Sequence, residues 1–142
     1  MPKRTSRAVW NGSLTEGSGR MELGSGAFQG QYSVGTRFGS DEGTNPEELI
    51  AAAHAGCFSM AFSLILGNEG FTPDAIETSA TVTIERQGDG YAITMIELDV
   101  EASVPDIDEE KFNELAEMAK NGCPVSKALE TVPITMNARL KS

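Results

Sequence analysis

Five side chains in this 142-residue sequence could do chemistry together: Cys57, Cys123, His54, Arg37 and Glu47. The chain has two cysteines and one histidine. The cysteines stand far apart in sequence, each in a strong local setting, which makes them candidates for one shared thiol site. Cys123 lies in Asn121-Gly122-Cys123-Pro124. Proline suits the first helical position, so Cys123 falls at an N-cap, where backbone N–H groups and the helix dipole favour a thiolate. Serine or aspartate would cap better, which favours a chemical role over mere capping. Cys57 sits between Gly56 and Phe58 in an apolar run. Taken alone, such a cysteine is usually an inert small hydrophobe. Its small neighbours Ala51, Ala52, Ala53, Ala55 and Gly56 nevertheless leave a thin helix surface that other groups can approach.

His54 precedes Cys57 by three residues, on nearly the same helix face, and is the obvious base for a Cys–His hydrolase or transferase. A packed or hydrogen-bonded core histidine is the commoner outcome. Glu47 has two readings: it complements the helix dipole, or it holds Arg37 across a flexible loop. A bidentate Arg–carboxylate pair fixes the guanidinium, and such an arginine can stabilise a thiolate or receive a peroxide oxygen. An ordinary surface pair explains the same residues equally well. Glu47 and Cys57 lie ten residues apart on one helix, about 15 Å along its axis. One arginine cannot easily touch both within a chain, so Arg37 and Glu47 would more naturally serve the Cys57 of a second chain. Gly-x-Ser-x-Gly, CxxC, GxGxxG and P-loop patterns do not occur, and two cysteines with one histidine lack zinc spacing. No metal or cofactor is expected.

The elements that would position these groups follow from periodicity. Thr5 to Trp10 reads as a strand, 11–19 as turns, and the alternation through 31–38 as a half-buried strand with Arg37 on its polar face. Asn45-Pro46-Glu47-Glu48 is a helix start, with Asn45 as cap and Glu48 completing a capping box. The helix runs to about Leu66. It is apolar nearly all round, and should be central and covered on several sides. Residues 78–86 and 91–104 form a hairpin around Gln87-Gly88-Asp89-Gly90, with a bulge near Met95 where the alternation changes phase. A second helix starts at Asp108, with Ile107 and Phe112 at hydrophobic-staple positions, and ends at Gly122. A short helix follows Pro124, then a strand through Ile134, Met136, Ala138 and Leu140. The order is an α+β pattern in a single domain, 1–142, without repeats. One helix with no polar face needs more cover than one small sheet offers, and a homodimer would supply it.

The bulk numbers bound the partners. A net charge of -10 argues against nucleic acid and against anionic membrane surfaces. The basic start, Met1 to Arg7, has no apolar segment behind it and is not a signal peptide. The run Leu49–Leu66 is about long enough to span a bilayer, but it carries His54, Ser59 and Ser63 and reads as a core helix. The expected compartment is the cytoplasm, where paired thiols are usually transient or reactive.

The stretch Gly43-Thr44-Asn45-Pro46-Glu47-Glu48-Leu49-Ile50-Ala51-Ala52-Ala53-His54-Ala55-Gly56-Cys57-Phe58-Ser59-Met60-Ala61 resembles the central helix of the family of osmotically inducible protein C (OsmC). Gly122-Cys123-Pro124-Val125-Ser126 resembles its second cysteine segment, and Thr36-Arg37-Phe38 fits ahead of the loop. The resemblance covers essentially the whole chain. It implies an intertwined homodimer with antiparallel sheets around a long buried central helix and two sites at the interface. It further implies a thiol-dependent peroxidase that reduces organic hydroperoxides. By match to the motif, Cys57 is the peroxidatic thiolate, Cys123 the resolving thiol, and Arg37 with Glu47 the activating pair. A dithiol reductant, of dihydrolipoyl type, would reset the disulfide. The Ala-His-Ala stretch favours OsmC over its sister class, the organic hydroperoxide resistance proteins; Arg20 is the position to watch if the sister class is correct. Helix-cap logic instead favours Cys123 as the more reactive thiol. Phe58, Met60 and Phe62 are expected to line an apolar substrate pocket. The rival readings are the Cys57–His54 hydrolase or transferase and a non-catalytic stress-response protein that binds an apolar ligand.

Overall fold

The computed structural model describes residues 1–141. They fall into two compact units, one from Met1 to Leu49 and the other from Ile50 onwards. The first unit is built on an antiparallel meander of β1 (Ser6–Asn11), β2 (Ser18–Leu23) and β3 (Gln29–Tyr32). Its register sets Gly19 opposite both Trp10 and Tyr32, whose ring centroids are 5.4 Å apart. A Cβ at position 19 would come within 2.6 Å of the Tyr32 ring and 2.7 Å of the Trp10 ring. Only glycine lets these two rings close over the middle strand.

The strand expected over 31–38 is not formed. β3 ends at Tyr32, and a short helix α1 (Val34–Phe38) follows. Ser33 is its N-cap: the Thr36 N–H donates to the Ser33 hydroxyl (3.3 Å) and the Ser33 N–H donates to the Thr36 hydroxyl (2.8 Å). This reciprocal box outweighs a weak alternation over so few residues. Arg37 therefore projects from a helix, not from the polar face of a strand. Helix α2 (Pro46–Asn68, 23 residues) follows, with its first turn in this unit. The Glu48 N–H donates to the Asn45 side chain at 2.8 Å, as expected of the cap. The other half of the expected box is absent, because the Glu48 carboxylate accepts the Thr44 hydroxyl at 2.7 Å instead.

In the second unit β4 (Ala75–Gln87) and β5 (Gly90–Ser103) form a long antiparallel hairpin. Gly88 takes the positive φ (57°) that the tight turn needs. Pairing steps from Thr83–Met95 to Ile84–Ile93, which leaves Thr94 as the extra residue of the bulge expected near Met95. Helices α3 (Glu109–Gly122) and α4 (Pro124–Ala128) lead to β6 (Ile134–Leu140). The sheet order is β4-β5-β6, and β6 runs parallel to β5. This corrects the expectation of purely antiparallel sheets. A parallel neighbour requires a long crossover, and the two helices between β5 and β6 supply it. Asp108 caps α3 through the Lys111 N–H at 2.7 Å, and both staple residues, Ile107 and Phe112, are buried.

The core of this unit is set by spacing on α2. His54, Phe58, Phe62 and Leu66 recur every fourth residue, lie on one face and are fully buried. The three apolar ones pack with Leu98, Val100 and Ala102 of β5 and with Phe112, Leu115 and Ala119 of α3. The Phe58, Phe62 and Phe112 rings form a chain with centroid separations of 5.7 and 5.4 Å. On the other side of α2, Met60 and Leu64 are 77% and 65% exposed. The expectation of cover on several sides is thus met along one stripe only within a single chain. The helix is long and apolar enough by composition to cross a bilayer (mean hydropathy 1.9), yet its buried stripe is part of the protein core. Phe62→Ala should therefore cost about 3–5 kcal/mol of unfolding free energy, measured by urea denaturation; a loss below about 1 kcal/mol would show that this stripe is not what holds the unit together.

Candidate active site

The structure brings the sequence-predicted residues together as two pairs. Within the second unit the Cys57 and Cys123 sulfurs are 2.9 Å apart. Both are free thiols, separated by more than the about 2.05 Å of a disulfide. Cys57 is placed by α2, next to the buried stripe. Cys123 is placed by the joint between two helices. Its N–H closes α3 on the Ala119 carbonyl (2.9 Å), while its extended backbone opens α4 with Pro124 in the first position. The predicted N-cap position is correct. Cys123 is fully buried, whereas Cys57 is only partly so.

The two thiols differ electrostatically. Burial pushes the Cys57 thiol up and the bond to Cys123 pushes it further, against a lowering by the Val125 N–H. Burial also pushes Cys123 up, but donation from Cys57, from the Ser126 N–H and hydroxyl, and from the Val125 N–H outweighs it and holds Cys123 below the ordinary thiol value. Cys123 occupies the N-cap position expected of it, but its side chain makes no cap hydrogen bond.

Within the first unit Arg37 and Glu47 form the bidentate pair expected of them. Arg37 Nε and Nη2 donate to the two Glu47 carboxylate oxygens, each at 2.8 Å. Glu47 is buried, and Asn45 ties α1 to the start of α2 by donating to the Thr36 carbonyl at 3.0 Å. The Glu47 carboxylate accepts from Arg37 and raises its pKa, so the guanidinium is permanently charged. Arg37 Nη1 takes no partner among the described residues. Arg37 also lines an apolar cavity of about 240 Å³, with Trp10, Leu14, Tyr32, Val34 and Phe38. The expected pocket of Phe58, Met60 and Phe62 is not formed: both phenylalanines are sealed in the core and Met60 faces outward. Helix periodicity explains the correction, since Phe58 and Phe62 share the stripe that meets β5 and α3.

His54 does not serve as a base for Cys57. Its Nε2 lies 2.7 Å from the Ser126 hydroxyl, both residues are buried, and Nδ1 has no partner. The reading of a hydrogen-bonded core histidine holds, and the Cys–His hydrolase loses its base to Ser126. Ser126 itself is the residue that sequence reasoning missed. The available signal was its place three residues after the Cys123 cap, where a side chain reaches back toward the cap residue.

An α+β chain with one cysteine on a long apolar helix and a second at a helix joint defines a recognisable class. Residues 39–137 match the family model described as OsmC-like protein, and the chain belongs to that family. It is 47% identical to "Peroxiredoxin OsmC" of Escherichia coli over 98% of this chain and 97% of that one. It is 34% identical to an "Organic hydroperoxide resistance protein-like" protein of Staphylococcus aureus over 61% of this chain and 62% of that one. Among solved structures it is similar to an OsmC-like protein from Mycoplasma pneumoniae (TM-score 0.77, 20% identity, 99% of each chain). It is also similar to the organic hydroperoxide resistance protein OhrB of Bacillus subtilis (TM-score 0.70, 25% identity, 96% and 98% of the two chains).

Burial lowers the His54 pKa below its ordinary value of 6.5. The folded protein then binds fewer protons than the unfolded chain below about pH 6.5, so stability falls as pH drops through that value toward the folded pKa. The slope from this one group is at most about 1.4 kcal/mol per pH unit. Comparing urea midpoints between pH 8 and 5 for the native protein and His54→Gln checks it. If both proteins follow the same curve, His54 does not titrate between folded and unfolded states.

Proposed function

We propose that the protein is a thiol peroxidase that reduces organic hydroperoxides to alcohols through the Cys57–Cys123 pair. The observation that carries this is two free sulfurs 2.9 Å apart of which only one, Cys57, is open to solvent. The Cys57 thiolate attacks the distal peroxide oxygen. The O–O bond breaks, the sulfur becomes a sulfenic acid, and the alkoxide takes a proton and leaves as the alcohol. The Cys123 sulfur then attacks Cys57, an S–S bond forms, and the hydroxyl leaves as water. A dithiol, of the dihydrolipoyl type that the family resemblance implies, returns both thiols. No step needs a metal or an organic cofactor.

Arg37 and Glu47 are the activating pair in this reading. Glu47 occupies two arms of the guanidinium and leaves Nη1 for a peroxide oxygen or the attacking sulfur. The apolar cavity beside Arg37 suits an organic tail better than hydrogen peroxide. Glu47 and Cys57 are ten residues apart on α2, about 15 Å along its axis. The pair therefore serves the Cys57 of a second chain, in a homodimer that covers the exposed Met60–Leu64 side of α2. The guanidinium delivered there favours the charged form of Cys57 and so the attacking thiolate. The whole chain acts as one domain, in the cytoplasm.

One equivalent of cumene hydroperoxide should lower the intact mass by two hydrogens, and Cys57→Ser or Cys123→Ser should each block that loss. Unchanged mass in the native protein would sink the thiol cycle. Arg37→Met should slow oxidation of Cys57 by about 10²-fold, the scale of one preorganised donor lost from a reacting site, as read by single-turnover kinetics. A rate within threefold of native would remove Arg37 from the chemistry.

A further inference from the structure

The Arg37–Glu47 pair is carried by two short segments, and a third residue joins them. Arg37 stands at the fourth position of the five-residue helix α1, and Glu47 at the second position of α2. So short a helix is not stable by itself, and its last carbonyls have no partner within it. The Gly35 carbonyl accepts the backbone N–H groups of Gly39 and Asp41. The Thr36 carbonyl is capped by a side chain from the next helix instead: Asn45 Nδ2 donates to it at 3.0 Å. Through Oδ1 the same amide accepts the Glu48 N–H at 2.8 Å and caps the start of α2. An N–H can only donate and a carbonyl can only accept, so these two partners fix which end of the amide is oxygen. The approach of Asn45 is itself fixed. Thr44 is buried, and its N–H donates to the Gln31 carbonyl of β3 at 2.9 Å. Gly43 has φ 145°, and a Cβ there would come within 2.7 Å of both the Gln31 carbonyl and the Thr36 methyl.

We infer that Asn45 is a positioning residue for Arg37: one amide caps the end of α1 and the start of α2, and so holds the guanidinium in a single orientation. This rests on the assignment of Arg37 as the activating group made above. The Asn45–Thr36 bond lies next to Arg37 on one segment and two residues from Glu47 on the other. It and the ion pair are therefore neighbouring rungs between the same two helices. One bidentate pair fixes the plane of the guanidinium on its carboxylate. It leaves both side chains free to pivot with their backbones. The second rung removes that freedom, so the arm that Glu47 leaves open points one way before any substrate arrives. A donor fixed in advance costs no reorganisation at the moment of reaction, and a misplacement of about 1 Å is enough to slow a reacting site strongly. Aspartate and serine are equally good caps for α2. Neither replaces asparagine here, because aspartate has no N–H to give the Thr36 carbonyl and serine ends one bond short of it.

The test is a double-mutant cycle on the rate of Cys57 oxidation. Acid quench, alkylation and intact mass after one equivalent of cumene hydroperoxide give that rate in a single turnover. Asn45→Asp and Asn45→Ser both keep an acceptor for the Glu48 N–H and both remove the donor to Thr36. Each should slow oxidation by about tenfold, the scale of one hydrogen bond lost. In an Arg37→Met background the same two changes should alter the rate by no more than about twofold, because the group that they misplace is gone. A merely structural role would slow both backgrounds alike. The inference is overturned if either variant alone reacts within about twofold of native, or if the slowing persists without Arg37. Slowing by Asn45→Asp but not by Asn45→Ser would trace the effect to the added charge, and also overturns it. Should Asn45→Asp not fold, Asn45→Ser alone decides. Arg37→Met reacting at the native rate is a separate failure: it removes Arg37 from the chemistry and takes the role of Asn45 with it. Native-like Asn45 variants beside a slow Arg37→Met sink the positioning role only.

Discussion

Everything that this protein does with sulfur depends on holding two thiols in contact across 66 residues of chain. Neither cysteine achieves this by itself. Cys57 is fixed because α2 commits a strict every-fourth-residue stripe to the core, and the rotation of the helix is set by Phe58, Phe62 and Leu66 meeting β5 and α3. Cys123 is fixed because α3 packs on that same core through Phe112, Leu115 and Ala119 and then stops at the joint. Sliding α2 by one residue would turn the helix by about 100° and carry Cys57 off this approach. The contact is thus a property of packing, and the aromatic chain of three phenylalanines is its support.

That contact makes the two sulfurs unequal in opposite senses. Cys123 is sealed in the core at the N-cap of α4, while solvent reaches Cys57. A single thiol that was both acidic and exposed would oxidise without control. In the proposed cycle, dividing the properties lets access choose where the oxidant strikes. The conflict between helix-cap reasoning and family resemblance dissolves in these terms. The first concerns the charge on Cys123 within one unit. The second concerns attack by Cys57, which in the proposed cycle draws on the guanidinium of the Arg37–Glu47 pair in addition.

Much of the scaffold was legible because the periodicities were long. The β4–β5 alternation, its bulge and the Asp108 and Asn45 caps each rest on several residues agreeing with one another. Failures occurred where the signal was short or nonlocal. At Ser33–Phe38 a four-residue capping box competed with alternation, and the side-chain hydrogen bonds won. The parallel pairing of β6 could not be read from its own pattern, since direction is decided by the crossover before it. The pocket was misplaced because an apolar residue's type does not say whether it faces a core or a cleft; only the phase of the helix does. At the site, the residue types were legible and the second partner of each was not. His54 pointed toward Cys57 by spacing, yet its partner lies 72 residues away.

That misdirected histidine bears on whether the buried His54–Ser126 pair is merely tolerated. A buried ring with one nitrogen unpartnered is destabilising relative to an apolar side chain of the same size, which would leave no polar atom to satisfy. The neighbouring stripe positions are phenylalanine and leucine, so the core around α2 readily accepts such residues. Replacing His54 alone would leave the buried Ser126 hydroxyl without its partner. Replacing Ser126 alone would strand Nε2 in the core without a partner. The two residues make sense only as a unit, in which each satisfies the other's buried polar atom.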